Sequence, residues 1–205
     1  MLNIYLARHG QDEDNANGIL NGHRDTSLTT LGLEQAQNLA DEIKKADLNF
    51  DAIYSSPLKR TYKTAEIIAT TIGDNNVKII PDLIERDFGV MTGKRVSEIE
   101  KLCAPDIIKT DMVMYFLKPD KAETFPRLLE RARVVLANIK KQYKNGNILL
   151  VTSGDIGKMI YAAYYNLDWK KVLQEFHFGN TDLLILSSNS GSINHYVVTN
   201  KQYNA

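Results

Sequence analysis

The chain reads as an α/β fold built on a largely parallel sheet, and three observations predict it. Short apolar runs alternate along the sequence with segments of helical periodicity, the order that lays helices over a parallel sheet. One of those runs, "NILLVT" at 147–152, is apolar without alternation, as a strand buried on both faces must be. The 205 residues hold neither a repeat nor a low-complexity segment and fit one domain, 1–205, with a modest insertion.

The first run, "LNIYLA" at 2–7, is broken by Arg8, His9 and Gly10 and reads as a buried strand. Leu33, Ala36, Leu39, Ala40 and Ile43 then recur at helical spacing within 30–46, with Thr29 or Thr30 as N-cap and Lys44 and Lys45 near the negative end of the dipole. "DAIYSS" (51–56) is a second strand, stopped by Pro57; Tyr62, Ala65, Ile68, Ala69 and Ile72 line a helix that Gly73 ends. "VKII" (77–80) is a third strand, closing at Pro81. Residues 90–122 are irregular, hold Pro105 and Pro119, and read as a cap-like insertion with one or two short helices. A long helix follows, with Phe125, Leu128, Leu129, Ala132, Val135, Leu136 and Ile139 on one face. After "NILLVT" come "TDLLILSS" (181–188) and its expected antiparallel partner "SINHYVVT" (192–199), across an "NSGS" turn.

Composition excludes several function classes. With 25 Lys and Arg against 25 Asp and Glu, the formal net charge of zero argues against a general nucleic-acid binder. Cys103 is the single cysteine, so there is no internal disulfide and no cysteine-rich metal site, and a reduced cytoplasmic setting is expected. "MLNIYLARHG" lacks the basic segment and long apolar run of a signal peptide. No apolar stretch approaches the roughly 18 residues of a membrane span, so a soluble protein with no membrane partner is expected.

Arg8, His9 and Gly10 stand directly after the first strand, at the carboxyl end where α/β sheets bind ligands. An arginine beside a histidine, with a glycine admitting close approach, suits an oxyanion. Arg60, in "YSSPLKRTYKTA", falls in the first turn of the next helix, where N–H groups and the dipole already favour an anion. Two guanidiniums from separate strand ends can clamp one phosphoryl group. Glu85, in "LIERDFGVMTG", follows the third strand; taken alone it reads as a surface carboxylate paired with Arg86.

Together these segments resemble the histidine phosphatase superfamily, which includes cofactor-dependent phosphoglycerate mutases and many phosphomonoesterases. "RHGQDEDN" is similar to its RHG…N signature, and "NGHRDTSLTTLGLEQA", "SSPLKRTYKTA", "ERDFGVMTG" and "AETFPRLLERA" follow in the family's order over most of the chain. The resemblance implies a phosphoglycerate mutase-like three-layer α/β/α sandwich and a phosphomonoester hydrolase acting on a small phosphorylated metabolite, without metal, nucleotide or other cofactor. It implies that His9 is the nucleophile that becomes phosphohistidine. Arg8 and Arg60 would hold the phosphoryl oxygens with a hydrogen bond from Asn15, and Glu85 would serve as acid and then base. Asn21 and Gly22 would line the substrate side.

The chain departs from the family at one place. In "LLVTSGDIGKMI" (149–160) Ser153 stands where the family has its second active-site histidine, while Gly154 and Asp155 follow as expected. Ser153 is no hydrolase nucleophile, because Val151 and Asp155 occupy the glycine positions of a G-x-S-x-G elbow. It can cap the helix that follows, and with Gly154 it can offer the phosphate one hydrogen bond, but it carries no charge. Slow turnover is the consequence expected.

Mutase activity is the nearest alternative, disfavoured because no arginine-rich substrate stretch is seen within 90–126. A phosphoester-binding protein is the other, disfavoured because Arg8, His9, Arg60 and Glu85 are all retained. His23 reads as a solvated loop histidine, with the pocket edge as its alternative, His177 precedes a family-like Asn-x-Ser/Thr turn, and His195 reads as structural. Neither these histidines nor "GVMTGKR", which fails as a phosphate loop, suggests a metal or nucleotide site. Met91, Met112, Met114, Tyr115 and Phe116 either roof the pocket or fill a subsidiary core; Tyr115 and Phe116 could also meet a second copy in a homodimer.

Overall fold

The computed structural model describes residues 1–187 and 196–198. In chain order its strands are β1 (Leu2–Arg8), β2 (Ala52–Ser55), β3 (Val77–Ile79), β4 (Ile107–Lys109), β5 (Met114–Phe116), β6 (Gly146–Thr152), β7 (Leu183–Leu186) and β8 (Tyr196–Val198). The helices are α1 (Glu13–Ala16), α2 (Thr30–Lys45), α3 (Lys59–Ile72), α4 (Ile99–Cys103), α5 (Phe125–Gln142), α6 (Gly154–Tyr165) and α7 (Trp169–Glu175). Six strands form one sheet in the order β3-β2-β6-β1-β7-β8, and the first four of that order are parallel.

Alternation of side chains sorts the sheet's two faces, as the two-residue period of a strand requires. Ile4, Leu6, Ile148 and Leu150 face a core completed by α5, α6 and α7, including Phe125, Leu128, Ile156 and Ile160. Tyr5, Ala7, Leu149 and Val151 face the other way, onto Leu39, Ile43, Ala65 and Ile68 of α2 and α3. The product is the expected three-layer α/β/α sandwich. Thr29 is the cap of α2, its side chain accepting from the Gly32 N–H, and Gly73 closes α3 in the left-handed region.

Three features differ from the periodicity. Leu33 and Tyr62 sit at apolar spacing but are exposed; α2 instead buries Gly32 and Gln35, whose side-chain oxygen is taken by the Gln11 N–H. β7 runs antiparallel to β1, because α6 and α7 return the chain to the carboxyl edge of the sheet, where residues 178–182 bond Arg8 and His9. The 90–122 segment contains α4 as expected, but also an antiparallel hairpin, β4–β5, whose three-residue strands are too short to show a period. Leu20, Phe88, Met91, Ile99 and Phe116 form a third, small core beneath it. The "NSGS" turn and His195 lie outside the described residues.

The loop after β1 is seated by two glycines packed backbone to backbone. A Cβ on Gly10 would overlap the Gly32 carbonyl oxygen, and one on Gly32 would overlap the carbonyl oxygen of Gln11. Gly32→Ala is therefore expected to lower unfolding free energy by about 1–3 kcal/mol. Chemical denaturation measures this, and an unchanged midpoint would show that the approach is slack.

Candidate active site

β6 lies between β1 and β2, with Arg8 level with Thr152 and Ser55 level with Val151. The residues that follow these strands therefore meet at one edge of the sheet. The His9 N–H donates to the Thr152 carbonyl at 3.0 Å, so His9 and Ser153 leave adjacent strand ends.

His9 is buried, and its Nδ1 lies 2.6 Å from the Gly10 carbonyl oxygen. A carbonyl can only accept, so Nδ1 carries the proton and the neutral ring keeps its lone pair on Nε2. The His9 carbonyl in turn accepts from Asn180 Nδ2 (2.9 Å) and the Thr181 N–H (3.3 Å). Burial, then Arg60 and then Arg8 hold the imidazole pKa well below its usual value, outweighing the Gly10 contact. The ring is thus an uncharged base near neutral pH.

Two guanidiniums flank it. Arg8 donates through Nη1 to the Phe178 carbonyl at 2.7 Å, while its buried Nε has no partner among the described residues. Arg60 is fully buried and donates to the carbonyls of Arg24 (2.7 Å) and Gly22 (2.8 Å). Its Nε stands 3.3 Å from Asp12 Oδ2, near enough for charge attraction but not aligned as a hydrogen bond. Asp12 accepts from the Asn15 N–H and from Asn21 Nδ2, and burial nonetheless raises its pKa.

Glu85 is buried and does not pair with the Arg86 guanidinium. Its carboxylate accepts from the main-chain N–H groups of Arg86 (2.7 Å), Asp155 and Ile156 (3.2 Å each). Burial, then Asp155, raises its pKa; the N–H bonds and Arg60 oppose this without cancelling it. Arg86 turns away, with Nε 2.8 Å from Asp155 Oδ2 and its guanidinium 4.3 Å from the rings of Phe116 and Phe125.

Ser153 occupies the N-cap position of α6 with extended backbone, yet its hydroxyl makes no cap bond. The expected cap is supplied by Glu85 instead, because its two oxygens already fill the first turn of the helix. Ser153 Oγ is left buried with no partner among the described residues. It and Arg8 Nε are two unsatisfied donors at one strand edge. A Cβ on Gly154 would sit 3.7 Å from both Arg8 Nε and Glu85 Oε2, which places the next residue between them.

A pocket of about 190 Å³ opens over this edge. Arg8, Asn15, Asn21, Glu85 and Gly154 form its polar side, and Met112, Met114, Tyr115 and Phe116 its roof, so the insertion both roofs the pocket and fills the small core. His9, Arg60 and Ser153 lie behind this wall. Gly22 does not line it: its carbonyl braces Arg60, and its lack of a Cβ leaves room for the Phe88 ring. His23 donates from Nε2 to the Glu85 carbonyl at 2.7 Å, so the loop histidine steadies the acid. His177 is half-buried, and burial, Lys158 and Arg8 depress its pKa to about 4.

Periodicity missed one residue of the pocket. Lys158, on α6, is only 4% exposed, lines the pocket, and has its Nζ 5.5 Å from the centre of the Tyr115 ring. The available signal was a single cation among the apolar and aromatic residues that follow Asp155 in "GDIGKMIYAAYY". No cluster of three or more potential metal ligands occurs among the described residues, and no described helix is long and apolar enough to cross a membrane.

Comparison with known proteins places this geometry. Residues 4–201 match the family model of the histidine phosphatase superfamily (branch 1). The chain is 33% identical over 164 residues to phosphoglycerate mutase-like protein 4 of Arabidopsis thaliana, covering 77% of this chain and 69% of that one. It is 30% identical over 173 residues to phosphoserine phosphatase 1 of Hydrogenobacter thermophilus, covering 83% and 80%. Among solved structures, the phosphoserine phosphatase of Entamoeba histolytica in complex with 3-phosphoglyceric acid superposes with a TM-score of 0.76 at 28% identity, over 100% of this chain and 98% of the other.

The geometry at His9 yields its own test. Nitrogen NMR of the imidazole at pH 6 should show a neutral ring protonated at Nδ1, because its pKa is held well below the usual 6.5. An imidazolium spectrum at that pH would contradict the charge arrangement described.

Proposed function

Because the chain belongs to the histidine phosphatase superfamily and is a phosphatase of that type, we propose that it hydrolyses its substrate through a phosphohistidine at His9. The substrate is a small phosphorylated metabolite. Relatives are named for phosphoserine, and a solved neighbour holds 3-phosphoglyceric acid. A three-carbon phosphomonoester of that kind fits the pocket's dimensions.

The observation that carries the reading is a buried neutral imidazole with a free Nε2, set between two guanidiniums and near a carboxyl of raised pKa. Phosphoryl transfer needs positioning and fixed positive charge more than covalent help, and these residues supply both. In the first half-reaction the Nε2 lone pair bonds to phosphorus as the ester P–O bond breaks. The departing alkoxide takes the proton of Glu85. In the second half, Glu85 removes a proton from water, the hydroxide oxygen bonds to phosphorus, and the P–N pair returns to Nε2. Arg8, with its unsatisfied Nε, and Arg60 neutralise the three transferring oxygens, and Asn15 adds a hydrogen bond.

By the resemblance Ser153 stands at the place of a second histidine, and its buried hydroxyl has no partner among the described residues. It can donate to the phosphoryl group but brings no positive charge, and the loss of one preorganised electrostatic donor costs on the order of 10² to 10³ in rate. Ser153→His is accordingly expected to raise kcat on p-nitrophenyl phosphate by up to that factor, with His9→Ala as the blank. A variant no faster than its parent would remove Ser153 from the account.

The pH dependence has a definite sign. His9 must be unprotonated, which its lowered pKa allows into the acid range, and Glu85 must be protonated, which its raised pKa allows above the usual 4.5. Hydrolysis of glycerol 3-phosphate should therefore peak on the acid side of neutrality and fall as pH rises through the Glu85 pKa. Glu85→Gln should cost about 10²- to 10⁴-fold on this alkyl ester and much less on p-nitrophenyl phosphate, whose leaving group needs little proton. Equal losses on both esters would take proton donation away from Glu85.

A further inference from the structure

Lys158 is a cation without an ion-pair partner among the described residues. It is 4% exposed, and among the described residues no carboxylate lies within ion-pair distance of its ammonium. Its stem is packed while the residue lines the pocket, so the counter-charge its ammonium lacks within the protein can come from a ligand there. The nearby carboxylates are already engaged. Asp155 is held by Arg86 at 2.8 Å, and Glu85 by three main-chain N–H groups. The facing groups are the Tyr115 ring at 5.5 Å and His177, whose pKa the ammonium depresses.

Position decides what the charge is for. Lys158 lies one turn beyond Gly154 on α6 and reaches toward Tyr115 of the roof, while the phosphoryl ligands Arg8 and Ser153 stand at the strand edge. The pocket is thus lined by cations from two places, the strand edge and α6. Arg8, supported by Arg60, serves the first. We propose that Lys158, with Tyr115 beneath its ammonium, selects substrates that carry a second anionic group, a carboxylate, on the carbon skeleton bearing the phosphate. This rests on the phosphatase reading of the same pocket and adds the substrate class: a phosphorylated small carboxylic acid rather than a phosphorylated alcohol or sugar.

The test compares two ligands that differ in that group alone. Binding of 3-phosphoglycerate and glycerol 3-phosphate is measured by calorimetry in the His9→Ala background, so that turnover plays no part. With Lys158 present, 3-phosphoglycerate should bind about 10- to 100-fold more tightly, the range of a charge-assisted contact in a desolvated pocket. Lys158→Met keeps the stem packed on Tyr115 and should bring the ratio near unity while glycerol 3-phosphate binding stays unchanged; Lys158→Arg should restore much of the preference. No preference with Lys158 in place would overturn the proposal. So would an equal loss for both ligands in Lys158→Met, which would assign the charge to the phosphoryl group. A near-native thermal midpoint for Lys158→Arg guards against misfolding as the cause. If selective binding holds while neither the original chain nor Ser153→His turns over p-nitrophenyl phosphate, the hydrolytic reading fails and the specificity reading survives.

Discussion

The site hangs on the carboxylate of Glu85. Its oxygens accept the N–H groups of Arg86, Asp155 and Ile156, so one side chain pins the loop after β3 to the first turn of α6. The same residue's carbonyl accepts from His23 at 2.7 Å and Arg131 at 3.3 Å, drawing in the loop before α2 and the body of α5. Four chain segments far apart in sequence are thereby referenced to one residue. This constraint explains why Ser153 has no capping work: the N–H groups it would have capped are taken. Its hydroxyl remains available because Glu85 is in place.

Charge burial is the second constraint, and it moves the pKa values of His9 and Glu85 in opposite directions, the first down and the second up. Removing an imidazole from water beside two guanidiniums favours its neutral form, whereas removing a carboxyl from water beside Asp155 favours its protonated form. One desolvated edge therefore biases the imidazole toward its neutral form and the carboxyl toward its protonated form. Burial strips Arg60 of its hydration, and two main-chain carbonyls and the nearby Asp12 offset that loss. Asp12 in turn is steadied by Asn15 and Asn21, so residues assigned by resemblance to substrate contact also support the arginine.

The framework was legible because it follows from period and punctuation. The α2, α3 and α5 faces, the buried run of β6 and the strand ends at His9 and Ser153 all came from spacing and from residues such as Pro57 and Gly73. The ordered motifs carried the site, since a lone Glu85 beside Arg86 looked like a surface pair. Long-range decisions left no local trace. Whether Ser153 or Glu85 caps α6 depends on contacts across 70 and 71 residues, and the reversal of β7 depends on where α7 delivers the chain. Lys158 was overlooked because lysine is ordinarily solvated; only the packing of α6 against the roof shows that this one is not.

Arg86 ties the roof to the chemistry beneath it. Its guanidinium is held by Asp155 and lies 4.3 Å from Phe116 of the β4–β5 hairpin and from Phe125 of α5, and 5.0 Å from Phe88. A charge clasped by three rings and one carboxylate resists movement, because any displacement loses cation–π contact and desolvated ion pairing together. The roof is thus anchored through the residue next to Glu85. A side chain that lines the pocket from it without packing on the small core, such as Met112, can vary without touching that anchor. Phe116 cannot, since it belongs to both the small core and the Arg86 clasp. The pocket therefore divides into a wall whose residues are fixed by the charges behind them and a roof in which substrate fit can change while the phosphoryl-transfer geometry stays put.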